Sequence, residues 1–196
     1  MPRASWFELV LGSQLPVEGF RHCALYADKM LLLNEQLGYE RLRLRLLRPV
    51  DSEAFYNLTN DENIMAMIPE LGNPSLRDTT DKIIDANNGT SSRYYGAFEA
   101  GKLVGMISVE ERAGEIETRY WVGSPFTGRG VAKQMVRFVL EECSRSAPEV
   151  SIFAECKPHN TASWTVLIKN GFVDAGRPGN RPGRRRLELP HPERQM

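Results

Sequence analysis

The run Thr127-Gly128-Arg129-Gly130-Val131-Ala132 constrains this chain more than any other segment. Before it, Arg119-Tyr120-Trp121-Val122-Gly123 reads as a strand; after it, Lys133 to Glu142 reads as a helix. A strand, a glycine-rich turn and a helix start in succession make an anion cradle. The glycines accept φ > 0 and let a ligand come close to the backbone. The first N–H groups of the helix have no intrahelical partner and point at whatever anion lies there. Successive turn amides add to the positive potential. No Gly-Lys-Ser/Thr closes the turn, and no G-x-G-x-x-G opens a βαβ unit, so neither an NTP loop nor a dinucleotide fingerprint is present. The segment predicts a phosphate-bearing ligand of another kind.

Three strands lead into it. Arg93 to Glu99, a turn at Ala100-Gly101-Lys102, Leu103 to Glu110, and Glu115 to Val122 form an antiparallel meander. Upstream, Leu42, Leu44 and Leu46 alternate with Arg43 and Arg45, the period of a strand with the arginines on its solvated face. Pro49 stops that strand. Asp51 then caps a helix through Leu58, Asn60 caps a short helix holding Ile64, Met65 and Ile68 and ending at Pro69, and Ser75 caps a helix to about Asn87 with Gly89 as its stop. Within the cofactor helix Val131, Met135, Val136, Val139 and Leu140 share one face. Val150, Ile152 and Phe153 begin a further strand, Thr161 to Asn170 is the last helix, and Phe172-Val173 and Arg185 to Leu189 are the final strands. Gly176 to Gly183 joins them as a Gly/Pro/Arg hairpin loop.

A meander feeding a phosphate-binding helix resembles the GNAT superfamily of N-acetyltransferases. The family pattern Gln/Arg-x-x-Gly-x-Gly/Ala is met at Gly130 and Ala132, with Thr127 in place of Gln or Arg. A second family pattern, Asn-x-x-Ala-x-x-x-Tyr-x-Lys-x-Gly-Phe, is met at Asn160, Lys169, Gly171 and Phe172, with Ser163 for Ala and Leu167 for Tyr. The Asn-x-x-Ser form without Tyr, and the opening Arg41 to Leu46 followed by Arg48-Pro49 and Asp51, look like the RimJ/RimL-type branch. That branch acetylates protein N-termini and some small amines. The resemblance spans residues 41 to 189. It implies an α/β (α+β) fold with a mostly antiparallel sheet, splayed at its middle, and helices on both faces. The domain is expected over residues 30–196, with residues 1–29 a weakly structured or docking extension and a short helix within Ala24 to Leu37.

The resemblance implies acetyl-CoA as co-substrate, held in the splay between the fourth and fifth strands. Gly128, Arg129, Gly130, Val131 and Ala132, with Thr127, are expected at the pyrophosphate. Val122 and Gly123 offer backbone groups to pantetheine, and Asn160 and Ser163 flank that arm. Arg129 and Lys133 add charge near the phosphates or stand in solvent; Lys169 reaches the adenosine or is an exposed helical lysine.

The implied reaction is acetyl transfer to a primary amine by direct attack. Only a neutral amine attacks, so one proton must leave. Glu117 is the candidate base, with Glu110 and Glu111 behind it; the competing reading of Glu115, Glu117 and Arg119 is a solvated strand face. Ser163 is the candidate acid for the departing thiolate, or else a helix cap. Asp61 and Glu62 attract a cationic amine at the acceptor rim or merely begin a helix.

Composition sets the bounds. The 196 residues suit one domain with an appendage. A formal net charge of zero argues against nucleic acid as partner. Three cysteines without C-x-x-C spacing fit a reducing, cytoplasmic setting, and no metal-ligand spacing occurs. No apolar run is long enough to span a bilayer, and no signal peptide is seen. His159 reads as a surface residue. Two other classes remain open: a catalytically silent acyl-CoA-binding module, and an RNA- or ribosome-associated protein using Arg181 and Arg184 to Arg186. The acceptor, and whether the chain is a monomer or a homodimer, are not written in the sequence.

Overall fold

A computed structural model describes residues 42–67, 74–89 and 91–190. The expected extension 1–29, the helix within 24–37 and the positions Ile68 and Pro69 lie outside the described residues. Strands β1 (Arg43–Leu46), β2 (Ser92–Glu99), β3 (Lys102–Arg112), β4 (Glu115–Val122), β5 (Ile152–Cys156), β6 (Val173–Pro178) and β7 (Arg185–Glu188) form one sheet in the order β1-β2-β3-β4-β5-β7-β6. Every pairing is antiparallel except β4 with β5.

Helices cover both faces, as expected. Helix α4 (Val131–Ser146) and α5 (Thr161–Lys169) bury one face, where Met135, Val136 and Leu167 meet Ile107, Ile116 and Leu187. Helices α1 (Ser52–Thr59), α2 (Glu62–Met67) and α3 (Leu76–Asn88) bury part of the other, where Phe55, Ile64 and Ile83 meet Phe98, Met106 and Trp121. Strand alternation sorts side chains between the two layers. On β4, Ile116 and Tyr120 belong to the α4/α5 side, and Trp121 to the α1–α3 side.

The one parallel contact is short. Strand β5 pairs with β4 only at Ile116–Ile152 and Glu117–Phe153. Beyond Glu117, residues Thr118 to Val122 stay on β3 while β5 departs. The sheet is thus split between β4 and β5, at the place where the glycine-rich turn follows.

Three local expectations change. Arg45 is not a solvated residue: its guanidinium forms two hydrogen bonds with Asp51, of 2.6 and 2.7 Å, and lies over the Phe98 ring at 3.9 Å. Asp51 makes no side-chain cap to α1; it accepts from the Arg48 amide at 2.8 Å, within a 3₁₀ turn at Pro49–Asp51. Asp61, not Asn60, caps α2, accepting from the amides of Asn63 and Ile64 at 2.9 and 3.3 Å. Ser75 does cap α3, in a reciprocal box with Asp78.

Candidate active site at the split sheet

Backbone polarity comes first. Gly123 N–H donates to Val104 O at 2.9 Å, fixing which β3–β4 residue pairs exchange hydrogen bonds. Alternation makes Tyr120–Ile107 and Val122–Gly105 the non-bonded pairs. The amides and carbonyls of Tyr120 and Val122 therefore point away from β3, into the gap that β5 vacates. This edge of unpaired backbone is what an extended amide-bearing arm would pair with. Gly123 is a correction: its N–H serves Val104 and its carbonyl accepts from Phe126 N at 2.8 Å, so neither group is available. It is glycine for packing, because a Cβ there would stand 2.4 Å from Leu58. Tyr120 takes its place beside Val122 on the edge.

The cradle follows. Gly128 and Gly130 adopt φ of 73° and 81°, the left-handed region, and a Cβ at either would meet nothing within 4 Å. Conformation, not crowding, selects glycine here, and the empty space lies on the ligand side. Thr127 to Gly130 are exposed. The first α4 bond runs from Gln134 N to Gly130 O at 3.2 Å, so the amides of Val131, Ala132 and Lys133 have no helical acceptor. No acidic residue sits in that first turn. Thr127 donates its hydroxyl to Ser124 O at 3.0 Å, turning its side chain back into its own turn. Arg129 forms an ion pair with Glu99 at 2.7 Å, so it is neither free in solvent nor committed to a ligand. The donor set, all backbone N–H with basic residues beside it, fits a pyrophosphate.

On the α4/α5 side of the gap lies a pair of hydroxyls. Tyr120 Oη is 2.9 Å from Ser163 Oγ and 3.1 Å from Ser163 O. Asn160 is the α5 cap, its Oδ1 accepting from Ser163 N at 3.0 Å. Ser163 is thereby relieved of capping, and its hydroxyl meets both Tyr120 Oη and the Cys156 thiol. Burial pushes the Tyr120 phenol pKa up, more than the Ser163 hydrogen bond pulls it down, so the phenol stays protonated. Buried Cys156 lies beside them, its thiol donating to Lys157 O at 3.4 Å and Asn160 O at 3.6 Å. Burial raises its pKa too, against smaller opposing effects from Ser163 and Arg184. Tyr120 was missed as a functional residue; alternation, which sets it opposite Glu117, was the signal available.

On the α1–α3 side Glu117 of β4 is not on a solvated face, whereas Glu115 and Arg119 are part-exposed. Glu117 is 2% exposed. One of its oxygens accepts from Arg112 Nε at 2.8 Å and the other is held by Arg181. Arg181 also bonds Glu155 through Nε at 3.0 Å, and Glu155 accepts from the amides of Asn180 and Arg181. The loop between β6 and β7 is thus bolted across β4 and β5. Glu110 binds both Arg112 and Arg119. Asp61 Oδ1 accepts from Ser124 Oγ at 2.7 Å as well as from the two amides it caps. Of the other expectations, Glu111, Lys133, His159 and Lys169 are exposed. Arg185 and Arg186 are ion-paired to Asp174 and to Glu115 and Glu188.

A split sheet whose open edge runs into a glycine-lined helix start defines an acyl-CoA-dependent transferase of the N-acetyltransferase class. The family comparison agrees: the model for the acetyltransferase (GNAT) domain matches residues 41–173, and the chain belongs to that family as an acetyl-CoA-dependent acyltransferase. It is similar to the uncharacterized N-acetyltransferase YnaD of Bacillus subtilis (strain 168), 26% identical over 141 residues, which cover 70% of this chain and 82% of that protein. Its fold is shared with AAC(6')-Ib, solved with paromomycin and acetyl-CoA (TM-score 0.64, 19% identity, 78% of this chain and 94% of that one). It is shared equally with RimL, the ribosomal L7/L12 α-N-protein acetyltransferase, solved with coenzyme A (TM-score 0.64, 17% identity, 76% and 93%). Among the described residues no helix is long and apolar enough to cross a membrane, and no cluster of His, Cys, Asp and Glu is placed to hold a metal.

Proposed function

We propose that this chain acetylates a primary amine, either a protein N-terminal α-amine or a small amine, by direct attack of the amine on the thioester, and that it groups with the RimJ/RimL-type enzymes. The observation that carries the reading is the two-sided gap: hydroxyls of Tyr120 and Ser163 on one side, and charged residues of β4 on the other. The Asn160-x-x-Ser163 sequence supports the branch. Backbone amides of Val131 to Lys133 hold pyrophosphate, and Tyr120 and Val122 pair with the pantetheine arm. Acetyl-CoA supplies the activated acyl group.

The chain's own residues then do three things. An edge amide of β4 donates to the thioester oxygen as charge grows there. The Tyr120–Ser163 pair supplies a proton toward the leaving sulfur. Ser163 Oγ–H gives its proton to the departing sulfur as Tyr120 Oη–H passes its own to Ser163 Oγ, and Tyr120 recovers a proton from water before the next turnover. The amine proton leaves to water, because both Glu117 oxygens are engaged by guanidinium groups and none faces an amine. Glu117 instead positions the acceptor wall. The buried, protonated Cys156 thiol is no nucleophile, in keeping with a route that has no acyl-enzyme. Among the described residues Cys143 and Cys156 are buried and in no disulfide, which suits a cytoplasmic setting.

The test is amine-dependent CoA release, run on the wild type and Glu117→Gln. A wall role predicts a lower melting temperature and a raised acceptor KM in the variant. A base role predicts a fall in kcat with loss of the acidic limb of the pH profile. Acetyl-CoA binding with no turnover on any amine would leave a silent binding module.

A further inference from the structure

Helix α2 has six residues, too few to hold a helix on their own. Ile64 anchors it in the α1–α3 layer, where that side chain is fully buried. Its N-terminal end is held from outside that layer. The hydroxyl of Ser124, in the turn after β4, donates to Asp61 Oδ1 at 2.7 Å and accepts from Asn63 Nδ2 at 3.1 Å. Asp61 Oδ1 in turn takes the amides of Asn63 and Ile64. The Ser124 bond leads the effects that hold the Asp61 carboxyl below its ordinary range, with the two amides behind it and desolvation opposing. Asp61 is therefore a carboxylate at neutral pH, and its bond from Ser124 is charge-assisted.

The backbone of Ser124 reaches the cradle. Its carbonyl accepts from Thr127 Oγ1 at 3.0 Å and from Thr127 N at 3.4 Å, and Thr127 opens the glycine-rich turn. Ser124 is thus bonded through its side chain to the start of α2 and through its backbone to the start of the cradle. Capping alone does not account for this, since Asp61 caps α2 through two amides of the helix itself and a cap needs no residue 63 positions away. Gly123 brings α1 to the same turn, because a Cβ there would collide with Leu58. Helices α1 and α2 stand on the acceptor side of the gap, and the cradle stands at its pyrophosphate end.

We propose that Ser124 and Asp61 are positioning residues that couple the two halves of the site: a pyrophosphate held in the cradle fixes Thr127 and Ser124, and Ser124 fixes α2 on the acceptor side. This rests on the transferase reading above and adds which residues join the cofactor to the acceptor wall. Coupling between two binding regions is reciprocal, so an ordered α2 also tightens the cradle.

The experiment measures backbone amide exchange and calorimetric affinity with acetyl-CoA as the probe. In the wild type acetyl-CoA should slow exchange at residues 127–133 and also throughout α2, beyond Ser124. Ser124→Ala should keep the slowing at 127–133, lose it in α2, and bind acetyl-CoA about fivefold more weakly, the low end of such couplings. Asp61→Ala should do the same, whereas Asp61→Asn, which keeps an oxygen acceptor, should retain part of both effects. The double variant Asp61→Ala/Ser124→Ala should bind little more weakly than either single one, because one interaction is removed twice. A helix cap and nothing more gives another pattern: α2 exchange speeds up in the variants with or without ligand, and acetyl-CoA affinity does not change. That pattern, or α2 exchange in the wild type that is indifferent to bound acetyl-CoA, overturns the coupling while leaving the transferase intact. No acetyl-CoA binding by the folded wild type overturns the transferase reading and the coupling with it.

Discussion

In the proposed reaction the chemistry turns on Tyr120 and Ser163. Neither hydroxyl is acidic alone, but each polarises the other at 2.9 Å, and burial keeps the phenol protonated. Tyr120→Phe and Ser163→Ala should each lower kcat by about a hundredfold, the lower end of what a general acid contributes, because an alkyl thiolate leaves with moderate ease. The double variant should be little worse than either single one, since both act on one proton. Rapid-quench measurement of the chemical step checks this; multiplicative losses would mean separate roles. Some of this was legible in the sequence. Asn160 and Ser163 were singled out by resemblance to the family pattern, and Gly128 and Gly130 by their place before a helix. The Tyr120–Ser163 contact was not, since it joins residues 43 positions apart and follows from how α5 lies against β4. The fate of Glu117 was equally hidden. Its ion pairs to Arg112 and Arg181 come from strand registry and loop closure, which residue types do not encode.

Among the elements, the turn between β1 and α1 shows how a charged pair can replace a helix cap. Burial raises the Asp51 pKa, but the Arg45 side-chain bonds, the Arg48 amide and the charges of both arginines outweigh it, and the net shift is downward. A carboxylate with a lowered folded-state pKa contributes its stability fully above the ordinary carboxylate range, near pH 4. That contribution is lost as pH falls from there through the lower folded value. Asp51→Asn should therefore cost about 2 kcal/mol at neutral pH, the scale of hydrogen bonds to charged groups. The difference from wild type should shrink below about pH 4, where the wild-type carboxylate also takes up protons. Urea denaturation across pH measures it; a penalty independent of pH would point to packing instead. Element boundaries here were readable because Pro49, Ser75 and Gly89 act locally. The partner of Arg45 was not, because alternation with leucines says which face an arginine takes, not what waits there.

For the whole molecule, the decisive property is a sheet that is continuous at its outer strands and open in the middle. The meander of β2 to β4 was legible from short-range alternation and turns. The split was expected from the family resemblance but not from residue types, since it depends on β5 pairing with β4 at only two positions. That geometry leaves the edge amides of Tyr120 and Val122 unpaired and aims them along the same gap as the α4 start. Acetyl-CoA is proposed to lie there. Calorimetric titration of acetyl-CoA into the wild type, Gly130→Ala and Gly130→Glu tests it most directly. Micromolar binding, about −8 kcal/mol, is expected for the wild type. Gly130→Ala adds only a methyl group and the strain of φ = 81°, and should bind within about tenfold of it. Gly130→Glu should lose binding while remaining folded, because its carboxylate would occupy and repel the pyrophosphate position. Equal affinity of the folded Glu variant and the wild type, or no binding by a folded wild type, would contradict the placement.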